Sequence, residues 1–66
     1  MKLKLNGTET EIQDNLTVSG LLETLRIEPA RVAVEVNMQI IKKCIFQDHV
    51  LKDGDSVEVV NFVGGG

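Results

Sequence analysis

Asn6-Gly7 stands between two runs of alternating character, and it constrains the chain more than any other pair. A two-residue primed turn needs positive φ at both central positions, which Asn and Gly supply at low cost. Before the pair, Leu3 and Leu5 alternate with Lys2 and Lys4; after it, Thr8, Thr10 and Ile12 alternate with Glu9 and Glu11. Both runs have the period of a half-buried strand. The N-terminal segment therefore reads as a β-hairpin with one apolar face, and a hairpin alone is at best marginally stable in water. Something later in the chain must cover that face.

After a polar turn at Gln13-Asp14-Asn15, the period changes. Thr17 has the side chain of a helix N-cap, and Leu16 and Leu21 sit at the hydrophobic-staple positions. Val18, Leu21, Leu22 and Leu25 fall at i, i+3, i+4 and i+7, a single apolar stripe, while Glu23 and Arg26 face water. Gly20 interrupts this helix at a cost of about 1 kcal/mol relative to Ala. A close approach of helix to sheet would account for it. Pro29 is expected to end the helical run.

Val32 to Asn37 then reads as a strand, Met38-Gln39 as a turn, and Ile40 to Lys42 as the returning strand. Cys44 to Asp48 fits a short helical turn, and Lys52-Asp53-Gly54-Asp55 a tight turn. Ser56 to Phe62 is the last strand, with Val57 and Val59 on one face. Val60 and Phe62 read as partly core, with an exposed apolar patch as the functional alternative. One helix following a hairpin must lie across one face of a mixed sheet to bury both apolar surfaces. In the simplest arrangement the last strand inserts beside the first and runs parallel to it.

Several function classes are disfavoured. The net charge is −3, and there is no basic run, no Trp and no Tyr, whereas nucleic-acid binding calls for a positive surface and stacking aromatics. Cys44 is the only cysteine and His49 the only histidine. Neither an internal disulfide nor a zinc cluster is expected, and stability must come from packing. Cys44 reads as a small packed residue rather than a nucleophile, and His49 as an exposed turn residue. No apolar run reaches membrane-spanning length, and the alternating start is unlike a secretory signal, so a cytoplasmic location is expected. No base–nucleophile pair and no phosphate-binding glycine loop is present, so the chain does not read as an enzyme.

The sequence closes on Asn61-Phe62-Val63-Gly64-Gly65-Gly66, and these last glycines are half of the six in the chain. Glycines there fit a frayed end. They equally fit a tail whose terminal carboxylate is the reactive group. With "VAVEVN" after the helix, "LKDGDSVEVV" leading into the last strand and a terminal Gly65-Gly66, the whole chain resembles the ubiquitin-like sulfur carriers, and within them the carriers of thiamine biosynthesis. The resemblance implies an α+β β-grasp fold, a mixed sheet of four to five strands with one main helix packed across it. It implies a domain over residues 1–63 and a flexible tail over residues 64–66. It further implies that an adenylyltransferase related to the ubiquitin-activating enzymes (ThiF) uses ATP to adenylate the Gly66 carboxylate. A sulfur donor such as a cysteine desulfurase then converts the adenylate to a thiocarboxylate, which gives its sulfur to thiazole synthase (ThiG). The carrier itself binds no cofactor or metal. Gly64 and Gly65 would thread the partner's active site, since glycine leaves the carbonyl open to attack. Val60, Phe62 and Val63 are the candidate partner-binding residues. Three other readings share some of these features: the small subunit of molybdopterin synthase, a protein modifier joined to target lysines, and a plain interaction domain.

Overall fold

The hairpin forms where the Asn-Gly pair places it. In the computed structural model, which describes residues 1–61, β1 (Lys2–Leu5) pairs antiparallel with β2 (Thr8–Glu11). Asn6 and Gly7 have φ of 48° and 83°, as a two-residue primed turn requires. Leu3 lies opposite Thr10 on the face turned to the core. Lys2 lies opposite Glu11 and Lys4 opposite Glu9 on the solvent face, so opposite charges meet across the strands.

The helix α1 (Val18–Thr24) has every early amide accounted for. Thr17 Oγ1 accepts from Gly20 N–H at 3.0 Å, as the capping pattern predicts. The Val18 N–H donates to the His49 carbonyl at 3.0 Å and the Ser19 N–H to the Phe46 carbonyl at 2.9 Å. The segment after the fourth strand thus satisfies helix-start donors that would otherwise lack partners. At the far end Arg26 takes φ 58°. Its N–H donates to Glu23 O at 3.0 Å and the Ile27 N–H to Leu22 O at 2.9 Å, the paired bonds of a Schellman closure. The helix therefore ends by reversal at Arg26, before Pro29 can act. Pro29 instead opens a 3-10 turn, Pro29–Arg31, where its fixed φ is an advantage.

The reason for Gly20 also differs from the expectation. A Cβ there would sit 2.8 Å from Leu16 Cδ1 and 3.2 Å from Leu16 Cγ. The close neighbour is the staple leucine folded over the helix start, not the sheet.

The remaining strands are β3 (Val32–Val36), β4 (Gln39–Ile41) and β5 (Ser56–Asn61). The sheet has five strands in the order β2-β1-β5-β3-β4. β5 lies between β1, to which it is parallel, and β3, to which it is antiparallel, so the last strand inserts where the sequence places it. The turn joining β3 to β4 is Asn37-Met38, with φ of 52° and 71°, and Val36 pairs with Gln39. It falls one residue earlier than the sequence suggests, because Asn tolerates the left-handed region and leaves the strand to enter the turn. The short helical turn after β4 is Lys43–Ile45.

The helix packs its stripe on one face of the sheet. Val18, Leu21 and Leu22 meet Leu3, Val32, Val34, Val36, Ile41 and Val57, with Phe46 and Leu51 closing the end by the helix start. Leu51 is held there by its N–H, which donates to Leu16 O at 2.8 Å. Cys44 is exposed rather than packed; the turn places Phe46 inward and leaves the cysteine outside. The amino group of Met1 donates to Ile12 O and to Asp14 Oδ1, each at 2.7 Å. The bond to Asp14 raises its pKa above the usual value. Among the described residues no helix is long and apolar enough to cross a membrane.

Candidate functional site

Phe62, Val63, Gly64, Gly65 and Gly66 lie outside the described residues, as does the expected domain boundary after residue 63. Val60 lies inside them. The structure fixes the strand that leads to the tail, and that strand is held unequally on its two flanks.

Toward β3, pairing of β5 runs from Val57 opposite Val36 to Asn61 opposite Val32. Toward β1, it stops at Leu5 opposite Val57, because β1 turns away at Asn6-Gly7. Asn6 extends this flank by itself. Its N–H donates to Val57 O at 2.8 Å, and its Oδ1 accepts from the Val59 N–H at 2.8 Å.

Asn37 does the corresponding work at the start of the strand. Its N–H donates to Ser56 O at 2.7 Å, its Oδ1 accepts from the Ser56 N–H at 3.0 Å, and its Nδ2 donates to Asp55 Oδ1 at 3.0 Å. Asp55 Oδ2 in turn accepts from the Lys52 N–H at 2.9 Å, which locks the turn containing Gly54 at φ 89°. Both asparagines sit at positive φ, a conformation their short polar side chains tolerate. One residue type thus supplies both the turn and the clamp. The sequence marks Asn6 through its turn chemistry alone. Nothing in the pattern reveals that its amide reaches across to β5.

Strand alternation sorts the side chains of β5. Val57 is buried and Val59 packs against the core, whereas Glu58 and Val60 face the other way. Val60 is 55% exposed, so its reading as partly core does not hold. The register that buries Val57 necessarily turns Val60 out. Val60 lies opposite Ala33, Glu58 opposite Glu35, and Ile40, 73% exposed, lies opposite Glu35 on the next strand. The sheet face away from the helix thus carries exposed apolar side chains and two facing glutamates beside the strand that leads to the tail.

Among the described residues no group of three or more His, Cys, Asp or Glu side chains gathers as a metal site. The geometry is that of a platform: a strand anchored along its described length, which the C-terminal glycines follow in sequence.

Comparison with known proteins gives this geometry its context. The ThiS family matches residues 3–66, a span that includes the glycines. The sulfur carrier protein ThiS of Bacillus subtilis (strain 168) is 40% identical over 65 residues, covering 97% of this chain and 98% of its own. The crystal structure of the thiamine biosynthesis protein ThiS from Geobacter metallireducens superposes with a TM-score of 0.88 at 35% identity, each chain covered completely. A thiazole synthase of Paramagnetospirillum magneticum is 41% identical over all 66 residues. The chain spans only 20% of that protein's length.

Proposed function

Since the chain belongs to the ThiS family, we propose that it is a sulfur carrier for thiazole formation in thiamine biosynthesis, a stoichiometric substrate of its partners and not a catalyst. The observation that carries the reading is the family match over residues 3–66, a span that runs through the C-terminal glycines. The anchored β5 that leads to them supports it.

The chemistry follows from the carboxylate. Its carbon resists attack by a sulfur nucleophile because oxide is a poor leaving group. An activating enzyme of the ThiF type removes that obstacle: a Gly66 carboxylate oxygen attacks the α-phosphorus of ATP and pyrophosphate departs. The resulting acyl adenylate has AMP as a good leaving group. A sulfur donor, such as a cysteine desulfurase with its persulfide, attacks the carbonyl carbon and displaces AMP. A thiol then attacks the donor-side sulfur of the resulting acyl disulfide. The S–S bond breaks, the thiocarboxylate leaves, and the donor cysteine ends in a disulfide with that thiol, the reductant the step consumes. Gly64 and Gly65 let the carboxylate reach into the partner's pocket, and Val60, Phe62 and Val63 supply contacts that the small tail cannot. Ordering each tail residue costs about 1–2 kcal/mol, so these neighbouring contacts must offset it.

Thiazole synthase is the sulfur acceptor in this reading. A thiazole synthase that carries a segment similar to the entire chain supports that choice. The first half-reaction is directly testable with the activating enzyme, radiolabelled pyrophosphate and ATP. Label is expected to enter ATP only when the chain is present. Exchange that is independent of the chain would contradict the reading.

A further inference from the structure

Asn6 does more for β5 than a turn residue needs to do. A two-residue primed turn requires only positive φ at its positions, and Gly-Gly would serve. Yet the Asn6 carboxamide is aimed out of its own hairpin, across the sheet, to a backbone N–H 53 positions away in sequence. That N–H belongs to Val59, beyond the last residue paired with β1 and two positions before Asn61. Asn6 therefore stands in for the β1 residues that the turn removes. Its N–H and its Oδ1 together hold Val57 and Val59 as another strand residue would.

We propose that Asn6 is a positioning residue for sulfur loading: its side chain fixes the end of β5 and so sets the direction in which the strand delivers the glycine tail to the activating enzyme. The inference rests on the carrier reading and names a residue within it. Physically, the β3 ladder holds one flank of β5 through Asn61 and the Asn6 bond holds the other at Val59, and the two together confine the strand to the arrangement the partner binds. Without the Asn6 bond, that arrangement is one of several, and apparent affinity falls by the fraction that remains competent. Once bound, the partner holds the strand itself, so the chemical step is unaffected. The expected signature is a raised KM with little change in kcat.

Asn6→Gly is the discriminating variant. Glycine keeps φ 48° without strain and keeps the backbone N–H, so only the carboxamide is lost. Asn6→Asp retains an acceptor oxygen and should rescue. Asn37→Gly is the control, because it removes side-chain bonds at the start of β5 rather than its end. Amide exchange of the isolated proteins is read first. In Asn6→Gly the Val59 amide should exchange about threefold to tenfold faster than in wild type, the range expected for one net hydrogen bond. In Asn6→Asp it should stay protected. In adenylation assays Asn6→Gly should raise KM severalfold at near wild-type kcat, Asn6→Asp should restore it, and Asn37→Gly should lower thermal stability without moving KM. Unchanged Val59 exchange, an unchanged KM for Asn6→Gly, or an equal KM rise in Asn37→Gly would overturn the positioning role while leaving the carrier reading intact. Failure of the wild-type chain to be adenylated at all would instead overturn the carrier reading.

Discussion

A chain lacking Gly66 is expected to fold as the full chain does and to accept no sulfur. The core runs from Leu3 to Val57, and the described contacts of the sheet end at Asn61 opposite Val32. Those contacts all lie among the described residues, 1–61, so the spectrum and melting temperature should match wild type. The truncated chain still ends in a glycine carboxylate, but one residue short, a retreat of about 3.3–3.6 Å along an extended chain. Misplacing a reacting group by even about 1 Å can cost about a hundredfold in rate, so loading should drop by at least that factor. A truncated chain loaded at wild-type rate would show that the carboxylate of Gly66 is not the reacting group.

The largest stability loss should come from Leu21→Ala. Leu21 is fully buried, on the helix stripe that faces the sheet. Truncating such a leucine costs about 2–5 kcal/mol. A domain of this size holds only about 3–10 kcal/mol in total at the usual 0.05–0.15 kcal/mol per residue. The single cysteine rules out an internal disulfide as reinforcement. Leu21→Ala should therefore unfold at a greatly reduced denaturant concentration and be partly unfolded at ambient temperature. Val60→Ala, on the exposed face, should shift the midpoint little. Comparable midpoints for the two variants would contradict the assignment of the core.

Much of this architecture is readable from residue order. Asn6-Gly7 gives the hairpin, Thr17 with Val18, Leu21 and Leu22 gives the helix and its buried face, and the valines of β3 and β5 give the central strands. What the sequence conceals is what tertiary contacts decide. Arg26 ends the helix from a left-handed position that Arg seldom occupies, so the following proline draws the eye instead. Phe46 lies in a segment without periodicity, yet it is buried and its carbonyl takes a helix-start amide. The Leu16 side chain accounts for Gly20 from within the same local motif, which spacing alone cannot reveal. Cys44 reads as interior by residue type, but its turn leaves it in solvent. The site divides in the same way. The glycines stand out because their composition is extreme, and the resemblance to sulfur carriers implies a chemistry for them. The clamps on β5 are not legible, since Asn6 reads as an ordinary turn residue and Asn37 as the end of a strand until the sheet brings them beside the last strand.

The most direct test of the carrier assignment is the intact mass of the chain after incubation with ATP, the activating enzyme and a sulfur donor, followed by fragmentation to locate the change. The mass is predicted to rise by the difference between one sulfur and one oxygen, with the gain confined to the C-terminal fragment containing Gly66 and retained in Cys44→Ser. A mass gain that maps to exposed Cys44 and disappears in Cys44→Ser, or no gain under conditions in which a known ThiS protein is loaded, would contradict it.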